Sequence, residues 1–209
     1  MTQKLLLLRH GEIGEPYVDR YIGSTDLPMS AKGHRQVVGL KDFLRECSFD
    51  RCICSPMKRC RETASIIMES RAIGFEIDPA LREVDFGRLE GMSFDEIAKA
   101  YPAQIEHWIA FEPDFAFPGG EKIGDFMERI RCLAVQLSHD SAETILLCTH
   151  GGVIRMLICH FLRLEPWQFI LFKVKPASVT TIELFDKGGI LTGLSETGQE
   201  HCLEINTDG

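Results

Sequence analysis

Two histidines stand in the same local pattern at two distant points of this chain. His10 follows the apolar run Leu5–Leu8 and Arg9, and His150 follows the run Ile145–Cys148 and a threonine; a glycine comes next in both cases. Side chains directly after buried strands meet at the carboxyl edge of an α/β sheet, where ligands bind. A single histidine in such a place is more often a hydrogen-bonded core residue, but two copies of the pattern favour a shared reactive site.

The chemistry expected of this pair is phosphate binding rather than metal binding. Arg9 lies directly before His10, and its permanent positive charge disfavours a zinc ion but offers bidentate donors to a phosphate. Gly151 and Gly152 open a predicted helix, whose first backbone N–H groups attract an anion. Phosphate at the two histidines is therefore the first hypothesis.

A second group of cations follows another predicted strand. Lys58, Arg59 and Arg61 fall in the first turn of a helix, where positive charge opposes the helix dipole and calls for an anionic partner. We expect at least one of them to point into the site. The alternative is a solvated basic face, which we keep for Lys58 and Arg61.

A phosphate ester also needs a proton for its departing alcohol, and a carboxyl group near the phosphate can provide it. Glu83, Asp85 and Glu90 lie in one turn-rich stretch after a further strand. The sequence does not choose among the three, and each could instead be a surface or turn residue.

Short apolar runs alternate along the chain with stretches of helical periodicity. This pattern predicts a three-layer α/β/α sandwich around a mostly parallel sheet with one antiparallel edge strand. The predicted strands are Lys4–Leu8, Arg51–Cys54, Phe75–Ile77, Thr144–Cys148, Val179–Leu184 and Leu191–Ser195. The predicted helices are Ala31–Glu46, Met57–Ser70, Phe94–Ala100, Ala103–Phe111, Ile123–Ser138 and Gly152–Leu162. We expect one domain over residues 1–209, with a lid around residues 101–122 and a weakly patterned extension over residues 199–209.

Composition narrows the classes of partner. The formal net charge is −8 over 209 residues, which gives no general attraction to nucleic acid or to an anionic membrane. The longest early apolar run is too short for a signal peptide or a membrane span, so we predict a cytoplasmic protein without membrane contact. The 8 cysteines lack metal-ligand spacing and fall mostly in predicted core elements, which predicts reduced thiols, no metal and no cofactor.

Taken together, these motifs resemble those of the histidine phosphatase superfamily, also called phosphoglycerate mutase-like, and within it the α-ribazole phosphatase-like branch. The resemblance spans nearly the whole chain and rests on the segments Arg9–Glu12, Gly23–Gly33, Ser55–Ala64, Leu81–Gly91, Pro118–Glu121 and Thr149–Gly152. It implies that His10 is the phosphorylated nucleophile, that Arg9, Arg59 and His150 clamp the phosphate, and that Glu83 is the proton donor. It also implies hydrolysis of a phosphohistidine without a metal.

The function expected from this resemblance is hydrolysis of a small phosphorylated metabolite, with α-ribazole 5′-phosphate of cobalamin biosynthesis as one candidate. The alternatives are phosphoglycerate mutase-type transfer, which we disfavour because the opening of the motif and the chain length differ, and a non-catalytic protein that binds a phosphorylated ligand. Trp108, Phe111, Phe115 and Phe117 could form an apolar wall for a base, or could be core and lid packing. A homodimer through the last strands is left open.

Overall fold

One mixed sheet organises the computed structural model, which describes residues 2–196. Its strands are β1 (Gln3–Arg9), β2 (Arg51–Cys54), β3 (Glu76–Ile77), β4 (Thr144–Thr149), β5 (Ser178–Phe185) and β6 (Gly188–Glu196). They lie in the order β3-β2-β4-β1-β5-β6. The first four are parallel, while β5 pairs antiparallel with β1 and β6 pairs antiparallel with β5. The predicted fold class is thus confirmed, and the antiparallel edge is a hairpin.

Six α-helices connect and cover the strands in the described part of the chain. They are α1 (Ala31–Phe43), α2 (Lys58–Met68), α3 (Phe94–Ala100), α4 (Pro102–Ile109), α5 (Ile123–Ser138) and α6 (Gly151–Phe161). Side chains cap two of these helices: Ser30 accepts from the backbone N–H of Gly33 at 3.0 Å, and Ser93 forms a capping box with Glu96. Helix α1 ends before the predicted Glu46, because the chain tightens into a turn after Phe43.

The apolar runs that predicted the strands are buried on both faces of the sheet. Along β1, Leu5 and Leu7 belong to one hydrophobic cluster, and Leu6 and Leu8 belong to the cluster on the opposite face. Successive side chains of a strand point to opposite faces, so a strand covered on both sides needs an uninterrupted apolar run. The polar residues that end β1 and β4 are therefore the first ones free to do chemistry.

The segment predicted as a lid contains α4 and an irregular stretch that leads into α5. Phe111, Phe115 and Phe117 are all buried in the core, so the structure places these three aromatic rings in packing. Whether residues 101–122 move as a lid stays a prediction. The predicted extension over residues 199–209 lies outside the described residues.

Two further observations concern the same range. The seven cysteines that the structure describes form no disulfide, and Cys52, Cys54, Cys60, Cys148 and Cys159 are buried. Between residues 2 and 196, none of the helices has the length and the apolar character that spanning a membrane requires.

Candidate active site

The two histidines meet because β1 and β4 are neighbouring parallel strands in register. Arg9 pairs with Thr149 at the ends of these strands, and the backbone N–H of His10 donates to the carbonyl of Thr149 at 3.0 Å. The ring centroids of His10 and His150 are 5.2 Å apart at an interplanar angle of 64°. Their exposed fractions are only 5% and 1%, so both imidazoles line one shielded site.

His10 is held as a neutral imidazole with one nitrogen free. Burial, followed by the charges of Arg59 and Arg9, lowers its pKa well below the ordinary value of 6.5. Its Nδ1 lies 2.8 Å from the carbonyl oxygen of Gly11, and a carbonyl can only accept, so the ring proton is on Nδ1. The lone pair is therefore on Nε2, which makes that atom available as a nucleophile.

Arg59 is the cation of the predicted basic group that enters the site. Its side chain is fully buried, whereas Lys58 and Arg61 are exposed. Its terminal nitrogens donate at 2.8 Å to the carbonyls of Thr25 and Gly23. These two bonds set the orientation of the guanidinium and leave the charge of Arg59 beside the histidines.

His150 is fixed on both of its nitrogens. Arg59 Nε donates to Nδ1 at 3.3 Å, which assigns the ring proton to Nε2, and Ser55 Oγ lies 2.8 Å from Nε2. Burial, then Arg59, lowers the pKa of His150 well below its ordinary value. Ser55 was not among the predicted site residues, although the same signal pointed to it, since it directly follows β2 as His10 follows β1.

Arg9 lies alongside these groups as the last residue of β1, directly before His10. Its Nη1 donates to the carbonyl of Val174 at 2.5 Å, while its buried Nε contacts no acceptor. Burial is the main reason that its pKa is lowered to about 10, so the guanidinium remains charged at neutral pH. An unpaired buried donor beside two histidines is a place for an anion.

Of the three predicted carboxylates, Glu83 alone reaches the helix that follows His150. Its Oε2 accepts from the backbone N–H of Gly152 at 2.8 Å, and its Oε1 accepts from its neighbour Val84 at 3.1 Å. The N-terminus of α6 attracts a negative charge, which holds this side chain at the site.

Asp85 and Glu90 instead support the loop that carries the carbonyl partners of Arg59. Glu90 Oε1 accepts from the backbone N–H groups of Gly23 and Ser24 at 2.9 and 3.0 Å, and its Oε2 accepts from the hydroxyl of Thr25 at 2.7 Å. Asp85 accepts from the hydroxyl of Ser24 at 2.8 Å. Both are therefore engaged in backbone support rather than at the histidines.

Two aromatic residues of the segment 101–122, Trp108 and Phe117, form a cluster with Tyr21 and Phe86. The ring of Trp108 lies 4.8 Å from that of Tyr21, 6.3 Å from Phe86 and 5.4 Å from Phe117. Trp108 and Tyr21 are only partly buried, unlike Phe117. Both side chains keep exposed surface, whereas Phe111 pairs with Phe169 elsewhere in the structure.

A metal does not fit this donor set. No group of three or more His, Cys, Asp or Glu side chains placed to hold a metal ion occurs among residues 2–196, and the histidines are flanked by two guanidinium groups. Two arginines, two neutral histidines, a helix N-terminus and one carboxylate together suit a tetrahedral phosphate and a proton transfer.

Known proteins are similar to this chain over most of its length. Residues 5–197 match the family described as Histidine phosphatase superfamily (branch 1). Adenosylcobalamin/α-ribazole phosphatase of Salmonella typhimurium is 28% identical over 87% of this chain and 90% of its own length. Phosphoserine phosphatase 1 of Hydrogenobacter thermophilus is 26% identical over 93% of this chain and 92% of its own.

The fold agrees with solved structures as well. The crystal structure of the α-ribazole phosphatase from Shigella flexneri superposes with a TM-score of 0.82 at 27% identity, covering 92% of this chain and 96% of that one. The family match over residues 5–197 extends from β1 to β6. The chain therefore belongs to the histidine phosphatase superfamily, branch 1, and is a phosphomonoesterase.

Proposed function

We propose that the chain hydrolyses a small phosphorylated metabolite through a phosphohistidine on His10 and without a metal ion. The observation that carries this proposal is the neutral, buried His10, whose Nδ1 is tied to the Gly11 carbonyl so that Nε2 keeps its lone pair. Arg9, Arg59 and His150 surround it as the expected phosphate clamp. Positioning and charge neutralisation are the main demands of phosphoryl transfer.

The first step forms a bond between His10 Nε2 and phosphorus. The ester P–O bond breaks in line with it, and the departing oxygen takes its proton from Glu83. In the second step the Glu83 carboxylate removes a proton from a water molecule, whose oxygen bonds to phosphorus as the Nε2–P bond breaks. Inorganic phosphate leaves, and His10 and Glu83 return to their starting states.

The substrate is proposed from the named relatives. One relative is named as acting on α-ribazole phosphate and another is named a phosphoserine phosphatase, so α-ribazole 5′-phosphate and phosphoserine are the first two compounds to test. Transfer of the phosphoryl group to a second alcohol, as in a mutase, would share the first step and differ only in the acceptor.

The test is hydrolysis of p-nitrophenyl phosphate in the presence of EDTA. Wild type is expected to keep its rate with the chelator, whereas His10→Ala should lose at least about 10³-fold of it, because the nucleophile is gone. His139→Ala, which removes an exposed histidine at the end of α5, is the control and should retain activity.

A second measurement detects the intermediate itself. Wild type denatured in alkali during turnover should carry the mass of one phosphoryl group, and His10→Ala should not. Loss of activity with EDTA, or equal rates for wild type and His10→Ala, would overturn the proposal.

A further inference from the structure

Arg155 is a cation of α6 that faces the site but takes no part in the chemistry above. It lies four residues after Gly151 and three after Gly152, so all three share one face of the helix. On that face, a Cβ at Gly151 would meet the guanidinium of Arg9 at 3.5 Å, and a Cβ at Gly152 would meet Glu83 Oε1 at 2.3 Å. Helical side chains lean toward the N-terminus, so Arg155 extends toward these two groups.

The guanidinium of Arg155 has no partner in the described part of the chain. Its Nε is buried without an acceptor, and no hydrogen bond or ion pair joins it to any residue between 2 and 196. By contrast, Arg129 on the neighbouring helix α5 makes a salt bridge with Glu121 at 2.8 Å. A buried donor without an acceptor destabilises the free protein, and a bound anion would remove that cost.

The place of Arg155 on α6 sets it beside the phosphate position rather than on it. It lies one turn beyond the N-terminus of the helix, on the face where the backbone N–H of Gly152 holds Glu83. Burial is the main cause of the lowered pKa of Arg9, to which the charge of Arg155 contributes, and that charge opposes the rise that burial gives to the pKa of Tyr21. Glu83 protonates the departing oxygen in the proposed reaction, so Arg155 lies on the side toward which the alcohol departs.

We propose that Arg155 binds a carboxylate on the alcohol portion of the substrate and so makes the enzyme selective for acidic phosphomonoesters. A guanidinium matches a carboxylate with two parallel hydrogen bonds. This inference rests on the proposed function, because it assumes that the phosphoryl group is held between His10 and the clamp. It favours a phosphorylated hydroxy or amino acid over a phosphorylated neutral nucleoside.

The experiment compares substrates that differ by the carboxylate alone. O-phosphoserine is paired with O-phosphoethanolamine, and 3-phosphoglycerate is paired with glycerol phosphate. Wild type should show a kcat/KM for the acidic member that is about 10–100-fold higher, since a hydrogen bond to a charged group contributes about 1.5–3 kcal/mol. The same comparison with α-ribazole 5′-phosphate should favour phosphoserine.

Substitution of the arginine then tests its part in that preference. Arg155→Gln should reduce the ratio within each pair to about one, mainly by raising the KM of the acidic member, and Arg155→Lys should restore part of the preference through its charge. Arg45→Gln, which removes an exposed arginine beyond the end of α1, is the matched control and should keep the wild-type ratio.

The outcomes separate the two proposals. Hydrolysis of p-nitrophenyl phosphate by wild type with no preference for acidic esters would overturn the role of Arg155 and leave the proposed function in place. An unchanged ratio in Arg155→Gln would also overturn it. If Arg155→Gln does not fold, the wild-type ratio and Arg155→Lys still decide. An ammonium keeps the charge but cannot form the two parallel hydrogen bonds, so the ratio in Arg155→Lys should fall between one and that of wild type, and an unchanged ratio would overturn the role of Arg155.

Discussion

Glu83 occupies a position at which one carboxylate can act first as an acid and then as a base. The backbone N–H of Gly152, in the first turn of α6, donates to its carboxylate. Glu83 thus packs against the same face of α6 that contacts Arg9. The other carboxylates of the stretch are occupied elsewhere, since Asp85 and Glu90 bind the loop of Gly23 and Ser24. Glu83 is therefore the one carboxylate of this stretch that is placed for the proposed proton transfer.

Glu83→Gln is expected to slow the two half-reactions unequally. Formation of the phosphoenzyme from p-nitrophenyl phosphate needs little acid catalysis, because p-nitrophenolate is a good leaving group. Attack by water needs a general base, which raises the rate of that step by roughly 10²–10⁴-fold. Rapid mixing should therefore reveal a burst of p-nitrophenol followed by slow turnover. Asp85→Asn should show no such burst, and the reverse result for the two variants would assign the proton transfer to Asp85.

Helix α6 is the element that gathers the most parts of the site. Its first residue follows His150, its first turn binds Glu83, and its next turn carries Arg155. Glycine at position 152 is what allows this, because Glu83 lies against the backbone where a side chain would otherwise be. The two glycines differ in how much room they have: Gly152 is blocked by a carboxylate oxygen, and Gly151 has ordinary contact distance.

Gly152→Ala should impair activity without a matching loss of stability. A methyl group there would meet Glu83 Oε1 at 2.3 Å and push the carboxylate away from α6, while alanine in a helix is favoured over glycine by up to about 1 kcal/mol. Turnover should fall nearly as far as in Glu83→Gln, with the free energy of unfolding, measured in urea, almost unchanged.

Gly151→Ala is the matched control for this change, because its methyl group would lie 3.5 Å from the Arg9 guanidinium. Its activity should stay near that of wild type. The double variant Gly152→Ala/Glu83→Gln should be no slower than Glu83→Gln alone, since both changes remove the same group. Additive losses would contradict this explanation.

Over the whole molecule, the sheet brings the carboxyl ends of β1, β2 and β4 to one edge, where they deliver His10, Ser55 and His150. Hydrophobic clusters cover both faces of the sheet, so these polar groups lie at the edge of a dry core. Although the protein has a net charge of −8, the guanidinium groups of Arg9 and Arg59 make this site locally basic. Burial of neutral histidines in that pocket links the stability of the fold to pH.

The free energy of unfolding is expected to fall as the pH drops below about 6.5. Burial lowers the pKa of both His10 and His150, so the unfolded chain takes up protons that the folded protein does not. Their contribution is fully present above the ordinary pKa and is lost as the pH falls toward the lowered values, at about 1 kcal/mol per histidine between pH 6.5 and 5.5.

Urea unfolding at pH 7.5, 6.5 and 5.5 measures this dependence. His10→Asn and His150→Asn should each weaken it by about the share of one histidine, whereas His139→Asn, which changes an exposed histidine, should leave it as in wild type. A pH dependence that is unchanged in both buried-histidine variants would contradict the linkage.

The strands, the helices and three groups of the site can be predicted from the amino-acid sequence alone. Uninterrupted apolar runs identify strands buried on both faces, and the residue that follows such a strand is exposed at a predictable edge, which located His10 and His150. Arg59 was detectable as a cation that opposes a helix dipole. These signals are local, so they can be recognised without knowledge of the fold. Ser55 could have been found by the same rule.

Residue types and spacing left three carboxylates open, and the family resemblance pointed to Glu83. The packed structure shows Glu83 against helix α6 and shows which arginine lacks an acceptor. Glu83 is separated along the chain by 69 residues from the backbone N–H that holds it, and Glu90 by 67 from that of Gly23. Loop residues follow no periodicity that would predict such partners. Arg155 resembles any helical arginine in sequence, and its lack of an acceptor becomes visible only when the elements around it are packed.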